Sequence, residues 1–232
     1  MGPIAGRRHG RLPARRATPV EEVHRVSVPV PAPLRLVESF LNSVDVASGR
    51  DELGSVPGFQ TWLAIHQREP ATTVSEEERQ LARELRDALR AELRTQPGAD
   101  RQDPARRNAQ VRLDALAFQV PLRARVTADG PWLAPAGDGV TAVLGEILAA
   151  VILASHDDSL RRLKICRAER CQAAYYDWSK NGSRCWCSMQ ICGNRNKTKA
   201  YRGRRREAGR VARDRQSGSF IPSWVASNPN EV

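Results

Sequence analysis

Five cysteines, Cys166, Cys171, Cys185, Cys187 and Cys192, fall within 27 residues of a 232-residue chain, and none lies elsewhere. No other feature constrains the fold as strongly. A secreted disulfide framework spreads an even number of cysteines along the chain behind a signal peptide. Here the cysteines are odd in number and clustered, and the N-terminus has arginines without an apolar core segment. Clustered thiols in a reducing compartment bind metal. Four of them form two pairs, Cys166-x4-Cys171 and Cys187-x4-Cys192, with 15 residues between the pairs. Each pair can approach an ion from one side, and the gap is long enough to reverse the chain. Four-thiolate zinc needs this arrangement. Cys185 is the ambiguous thiol, because it lies two residues from Cys187 on the same side of a strand and can compete for the metal. The symmetric spacing favours Cys187. The expected cofactor is therefore one structural Zn2+ held by Cys166, Cys171, Cys187 and Cys192.

The gap itself reads as a hairpin. Residues 173–178 are rich in strand formers, Asn181-Gly182 is a turn signal, and Arg184-Cys185-Trp186 is the expected return strand. Tyr175, Tyr176, Trp178 and Trp186 supply the large apolar groups. So small a unit buries too little surface to fold alone. Ligation is worth roughly 10–16 kcal/mol in small zinc peptides and is expected to be its main folding term.

Charge separates the chain in the same place. Residues 161–215 hold 17 Lys or Arg against four Asp or Glu, including all four lysines, whereas the whole chain carries +11. The remaining residues together sum to −2. A basic block, unlike a uniformly basic surface, is a candidate site for a polyanion. The excess of Arg over Lys is chain-wide and reads as genome composition. After Cys192, Asn194 can cap a helix running to about Ala208. On it Arg195, Lys199, Arg202 and Arg206 share one face, and Lys197, Arg204 and Arg205 widen the patch. Gly203 weakens this helix by about 1 kcal/mol. The competing reading, a solvated charged helix without a partner, is weakened by the adjoining metal site. Asn194 and Arg195, nearest the metal, are the candidates for base edges, since Asn suits adenine and Arg suits guanine. The distal arginines suit phosphates and predict steep salt dependence.

The rest of the chain reads as mostly α (α+β), a helical N-terminal domain with a small β element ahead of a small zinc-bound ββα-like module. Residues 1–33, rich in Arg, Pro, Gly and Ala, read as a disordered tail. Residues 34–160 form the helical domain, 161–210 the zinc module, and 211–232 a flexible tail. Leu34–Val37 reads as a short strand followed by a helical turn through Phe40 and Leu41. Residues 45–58 read as loop and Phe59–His66 as a short helix. Ser75 and Glu78 form a capping box for a surface helix with Leu81, Leu85, Leu89 and Leu93 on one buried stripe, ended by Gln96-Pro97-Gly98. Asp103-Pro104 opens another helix, which carries Val111, Leu113, Leu116 and Phe118. Val120, Leu122, Ala124 and Val126 alternate as in a strand, and 128–130 turn into a return strand. Val140–Ala154 is apolar except for Glu146 and reads as a buried helix, too short to span a bilayer. His24, His66 and His156 are isolated, and neither Ser39 nor Ser43 sits in a nucleophile motif. No catalytic constellation stands out.

The run from Trp186 through Cys187, Cys192, Gly193, Asn194 and Arg195 to Lys197 closely resembles the CGNR zinc finger, a bacterial family named for that tetrapeptide. The upstream C-x4-C, the Tyr176-Asp177 pair and the basic tail agree. In that family the finger follows a helical domain called ABATE, and residues 34–160 resemble it: Phe40-Leu41-Asn42-Ser43 stands where the family has F-x-N-T, and Trp62-Leu63 has a counterpart. At Cys185 the family tends to have a basic residue. The resemblance implies a stress-related transcription regulator that binds DNA through the finger.

The expected function is thus a cytoplasmic, nucleoid-associated DNA-binding regulator, not an enzyme. Its N-terminal domain would sense a small-molecule effector or form a homodimer. The alternative is an RNA-binding or ribosome-associated zinc protein, in which Tyr175, Tyr176 and Trp178 stack on bases if exposed. A zinc enzyme is disfavoured, because catalytic zinc keeps an open position and commonly uses His.

Overall fold

The apolar pattern that begins at Leu34 folds as helix, not as strand. The structure, a computed structural model, describes residues 30–66, 73–94, 103–128 and 130–217. A 3-10 turn, Ala32–Leu34, leads into α1, Arg35–Leu41. Leu34, Val37, Phe40 and Leu41 recur at helical spacing and all are buried, so the three- and four-residue period wins over strand propensity. Of the expected N-terminal tail, residues 1–29, His24 among them, lie outside the described residues. Val30, at its end, is buried in the core.

The stretch expected as loop holds a short antiparallel ribbon, β1 (Val44–Asp45) with β2 (Arg50–Asp51). It also holds the first turn of α2, Val56–Ile65. The Ser55 side chain caps α2 by accepting from Gly58 N at 3.2 Å. His66, isolated in sequence, bonds Ser39 Oγ through Nε2 at 2.7 Å and stacks on Trp62, tying α2 to α1.

Helix α3, Glu76–Arg94, starts on the expected capping box. Ser75 N donates to Glu78 Oε2 at 2.8 Å and Glu78 N donates to Ser75 Oγ at 3.1 Å. The expected leucine stripe is buried, Leu85 and Leu89 fully and Leu81 and Leu93 partly, but the buried face is wider than that stripe. Arg79, Arg86 and Arg90 are buried beside Ala82, Leu85 and Leu89. Each guanidinium serves a distant group: Arg79 donates to Leu53 O at 2.7 Å, Arg86 grips the Asp51 carboxylate through both terminal nitrogens, and Arg90 donates to Leu41 O and, at 2.8 Å, to Gln172 O. The expected stop at 96–98 lies outside the described residues.

Helix α4, Pro104–Ala117, packs along α3, with Asp103 accepting from Ala105 N at 2.9 Å. Leu116 is buried, but Val111 and Phe118 are 69% and 83% exposed. β3 (Leu122–Thr127) and β4 (Gly130–Pro135) pair antiparallel from Leu122↔Pro135 to Thr127↔Gly130. The strand is where alternation placed it, yet the face carrying Ala124 and Val126 is exposed, and only the preceding Val120 is buried. Residue 129 of the connecting turn lies outside the described residues. Helix α5, Gly139–His156, is long and apolar enough to cross a membrane by length and composition. Val140, Leu144, Ile147 and Leu148 instead fill the core against α1, α3 and β4.

The core does not end at residue 160. β5 (Leu163–Ile165) pairs antiparallel with β6 (Ala174–Tyr176). Leu163, Ile165, Ala174 and Tyr176 belong to the same buried cluster as Phe40, Trp62 and Leu85. Asn42 completes the junction. Its Nδ2 donates to Ala174 O at 3.1 Å and its Oδ1 accepts from Ala174 N at 2.8 Å, so one side-chain amide stands in for a neighbouring strand. Ala174 is fully buried, and Asn42→Ala leaves both of its backbone groups unpaired, at a cost of about 2–4 kcal/mol. A denaturant midpoint that moves by this amount at constant slope is the expected result. A loss below about 0.5 kcal/mol would mean that water replaces the amide without penalty.

Candidate metal centre and nucleic-acid interface

Four thiols arrive at one point from three local structures. Cys166 follows β5 directly. Cys171 ends a tight turn in which its N–H donates to Ala168 O at 2.8 Å. Gln172, immediately after, takes a left-handed φ of 50° and sends the chain into β6. Cys187 and Cys192 flank and enter a π-helical turn, Met189–Gly193, capped by Ser188, whose Oγ accepts from Ile191 N at 3.2 Å. The Sγ atoms of Cys166, Cys171, Cys187 and Cys192 lie within 4.8 Å of one another. Cys171–Cys187 and Cys187–Cys192 are 3.6 and 3.8 Å apart. Tetrahedral zinc with Zn–S bonds of about 2.3 Å requires sulfur–sulfur edges of about 3.8 Å. None of the cysteines is in a disulfide, and the donor set is all sulfur, so the tetrad fits one structural zinc. Cys185 Sγ lies outside it, 3.5 Å from Ser183 O.

The electrostatics of the thiols agree. The Cys166 and Cys187 thiols hydrogen-bond Cys171 and push its proton affinity far down. The close sulfurs of Cys166 and Cys171 push Cys187 up, and burial together with the Cys171 charge raises Cys192 to about 12. A metal-free tetrad therefore concentrates one thiolate and resists the next. A dication removes that conflict, because coordination deprotonates thiols outright.

The expected hairpin is corrected. β6 forms within the anticipated strand, but its partner is β5, and Arg184–Trp186 is not a strand. Leu163 and Ile165 bring an edge whose side chains are already in the core. The returning chain bonds a carboxylate instead of a ladder. Asp177, fully buried, accepts from Lys164 Nζ at 2.7 Å, Arg184 N at 2.9 Å and Ser179 N at 3.0 Å. Lys164 Nζ also donates to Gly182 O. Asn181-Gly182 does turn, with Gly182 at φ 56°. Tyr175 and Tyr176 are buried, whereas Trp178 is 45% exposed.

Helix α6, Asn194–Ser217, continues from the π-helical turn. Asn194 is already in helical conformation, so it does not cap the helix, and Ser188 performs that role one turn earlier. The helix passes the expected end near Ala208 and enters the segment expected as tail. Gly193 is closely approached: a Cβ there would lie 2.3 Å from Sδ of the exposed Met189, which can move aside, and 3.3 Å from Trp186 Cδ1. Asn196 Nδ2 donates to Cys192 O at 2.9 Å, a tie from helix to metal loop that the sequence reading missed. Asn194, Arg195, Lys199, Arg202 and Arg206 line one groove together with Arg170. Lys197, Arg204 and Arg205 are exposed outside it. Lys199 Nζ bonds the exposed Glu169 at 2.7 Å.

Two family models match. The CGNR zinc finger covers residues 162–205. The ABATE model, described as "Putative stress-induced transcription regulator", covers residues 34–157. A comparison with curated proteins finds no match. Helical domain, shared core and four-thiol centre all agree with those matches: the chain belongs to the ABATE family and carries a CGNR zinc finger at its C-terminal side.

Proposed function

We propose that the chain is a DNA-binding transcription regulator in which Cys166, Cys171, Cys187 and Cys192 hold one zinc, Cys185 does not, and α6 is the DNA-contacting element. The observation that carries this reading is the groove on α6. Arg195, Lys199, Arg202 and Arg206 of one helical face line it beside Asn194, joined by Arg170 from the metal loop. The first turn of the helix is fixed to the metal loop through Asn196, whose Nδ2 donates to Cys192 O. Asn194 and Arg195, on the anchored turn, contact base edges. Lys199, Arg202 and Arg206, with Lys197, Arg204 and Arg205 beside them, contact phosphate. From Ala200 onward the described side chains of α6 are exposed, and a helix polar on all sides orders fully only against a partner. Residues 34–160 act as sensor of a small-molecule effector or as a homodimerisation unit, 161–210 as the DNA-binding unit, and the protein works on the nucleoid in the cytoplasm without catalysing a reaction.

The RNA-binding reading has less support, because two of the three aromatics it would stack on bases are buried. The test is binding of the zinc-loaded full chain to duplex DNA across a salt series. Log affinity should fall linearly with log salt, with a slope near −0.9 per neutralised phosphate. Arg206→Gln should reduce that slope by about one for every sequence, and Arg195→Gln should relax sequence preference. Tighter binding to single-stranded RNA than to duplex would favour the alternative.

A further inference from the structure

A second concentration of positive charge lies away from the α6 face. A cleft of about 310 Å3 opens between the C-terminal end of α3, strand β5 and the loop 181–185. Arg94 comes from the helical domain; Lys164, Arg167 and Arg184 come from the zinc module. No carboxylate lines it. Lys164 is neutralised by the buried Asp177, but Arg94, Arg167 and Arg184 are exposed cations. Tyr175 forms part of the wall. Its hydroxyl donates to Arg184 O at 2.8 Å, and the Arg184 guanidinium carbon sits 5.6 Å from its ring centroid. Arg184 also donates to Cys187 O at 2.8 Å. That guanidinium is therefore held in place, not free to swing into solvent. The arginine-rich composition explains why these cations are Arg and not Lys. It does not explain why three from distant positions line one acid-free cleft, a concentration of positive charge that favours an anion.

We propose that this junction cleft is a phosphate-binding site shared by the two domains, Arg94 from the helical domain completing a cradle with Arg167 and Arg184 of the zinc module. An arginine cradle of this kind accepts the planar pairs of oxygens that phosphate presents. The phosphate belongs either to a free nucleotide or polyphosphate or to the backbone of a bound nucleic acid. The first source makes the cleft an effector site at the junction of the domains. The second extends the nucleic-acid contact onto α3 and rests on the DNA-binding reading above.

The test uses the zinc-loaded full chain with two probes, inorganic pyrophosphate by titration calorimetry and a DNA duplex across a salt series. Arg94→Gln changes an exposed side chain at a helix end and leaves the metal site untouched. Arg202→Gln/Arg206→Gln is the control on α6. About tenfold weaker pyrophosphate binding in Arg94→Gln, with the control unchanged and the duplex salt slope unchanged, assigns a free phosphate ligand. A duplex slope reduced by about one in Arg94→Gln assigns the nucleic-acid backbone. If Arg94→Gln matches wild type in both assays while the α6 control weakens them, the cleft is not a phosphate site, although the DNA reading survives. Wild-type protein that binds duplex but not pyrophosphate, with no slope change in Arg94→Gln, overturns the proposal equally. Wild-type protein that binds neither probe overturns both readings.

Discussion

Removing the zinc with a chelator is expected to release residues 186–193 into rapid hydrogen exchange while the amides of Lys164, Ala174, Tyr175 and Asp177, which bond across the β5–β6 ladder or to Asn42, stay protected. The two halves of the finger are held by different forces. β5 and β6 sit in the helical domain's core, Asn42 bonds both backbone groups of Ala174, and Arg90 bonds Gln172 O just ahead of β6. Up to Cys185 the second half is tied to β5, Tyr175 and Asp177, but beyond it such anchors are few. Its own cluster consists of Cys166, Ala168, Tyr175 and Cys192, with Trp186 and Ile191 partly buried against it. Ligation in small zinc peptides is worth roughly 10–16 kcal/mol, as much as the whole stability of many domains, so the loop that carries Cys187 and Cys192 has no folded alternative. Helix α6 then loses its seat and duplex binding should disappear with the metal. Cys171→Ser and Cys192→Ser should reproduce the effect and abolish binding of one zinc per chain. Cys185→Ser should keep the zinc, since that thiol lies outside the tetrad. Uniform loss of protection from 163 to 193 would show that the core does not hold β5 and β6 independently. Full zinc retention in Cys192→Ser would sink the ligand assignment.

What the sequence discloses is local, and what it withholds is long-range. Cysteine spacing and the capping box of Ser75 and Glu78 are complete within a few residues, and both were legible. The burial of Arg79, Arg86 and Arg90 was not. Each reads as a solvated charge on an amphipathic helix, because its partner is a loop carbonyl or carboxylate far away in the chain, such as Asp51 for Arg86 and Gln172 for Arg90. Alternation located β3 but could not say that its Val126 face is exposed, since a period of two fixes which residues share a side and not which side is covered. The pairing of β6 failed for a related reason. Asn181-Gly182 is a genuine turn, and a turn between two strand-like runs normally joins partners. Here Asp177 takes the returning Arg184 N–H, and the edge beside β6 is already taken by β5. The family resemblance drew attention to the segment containing Asn42, but its role as a substitute strand for β6 needs the three-dimensional junction.

Asp177→Ala is the point substitution expected to destabilise the chain most outside the metal ligands. The carboxylate is fully buried and links β5, β6 and the turn through Lys164, Ser179 and Arg184. Its removal strands the Lys164 ammonium beside two carbonyls, Gly182 O and Arg184 O, and orphans two backbone N–H groups. Breaking a buried pair by deleting one partner costs about 3–5 kcal/mol, roughly a 10 °C fall in melting temperature for a chain of this size. Lys164→Met in the same background should recover part of that loss, because the uncompensated charge is then gone. An unchanged double mutant would place the cost in the two N–H groups alone. The pH dependence has a definite sign. Burial by itself raises the Asp177 pKa, but the bonds from Lys164, Ser179 and Arg184 outweigh it and hold the group at about 2, below its ordinary 3.8. A depressed carboxylate contributes stability above the unfolded pKa and loses it as pH falls through the folded one. Asp177 should therefore contribute about 2 kcal/mol at neutral pH, lost between about pH 4 and pH 2. Zinc leaves earlier, as its thiolates protonate. The Asp177 contribution should accordingly be read in metal-free protein, from the protection of β5 and β6, where wild type and Asp177→Asn ought to converge as the pH approaches 2.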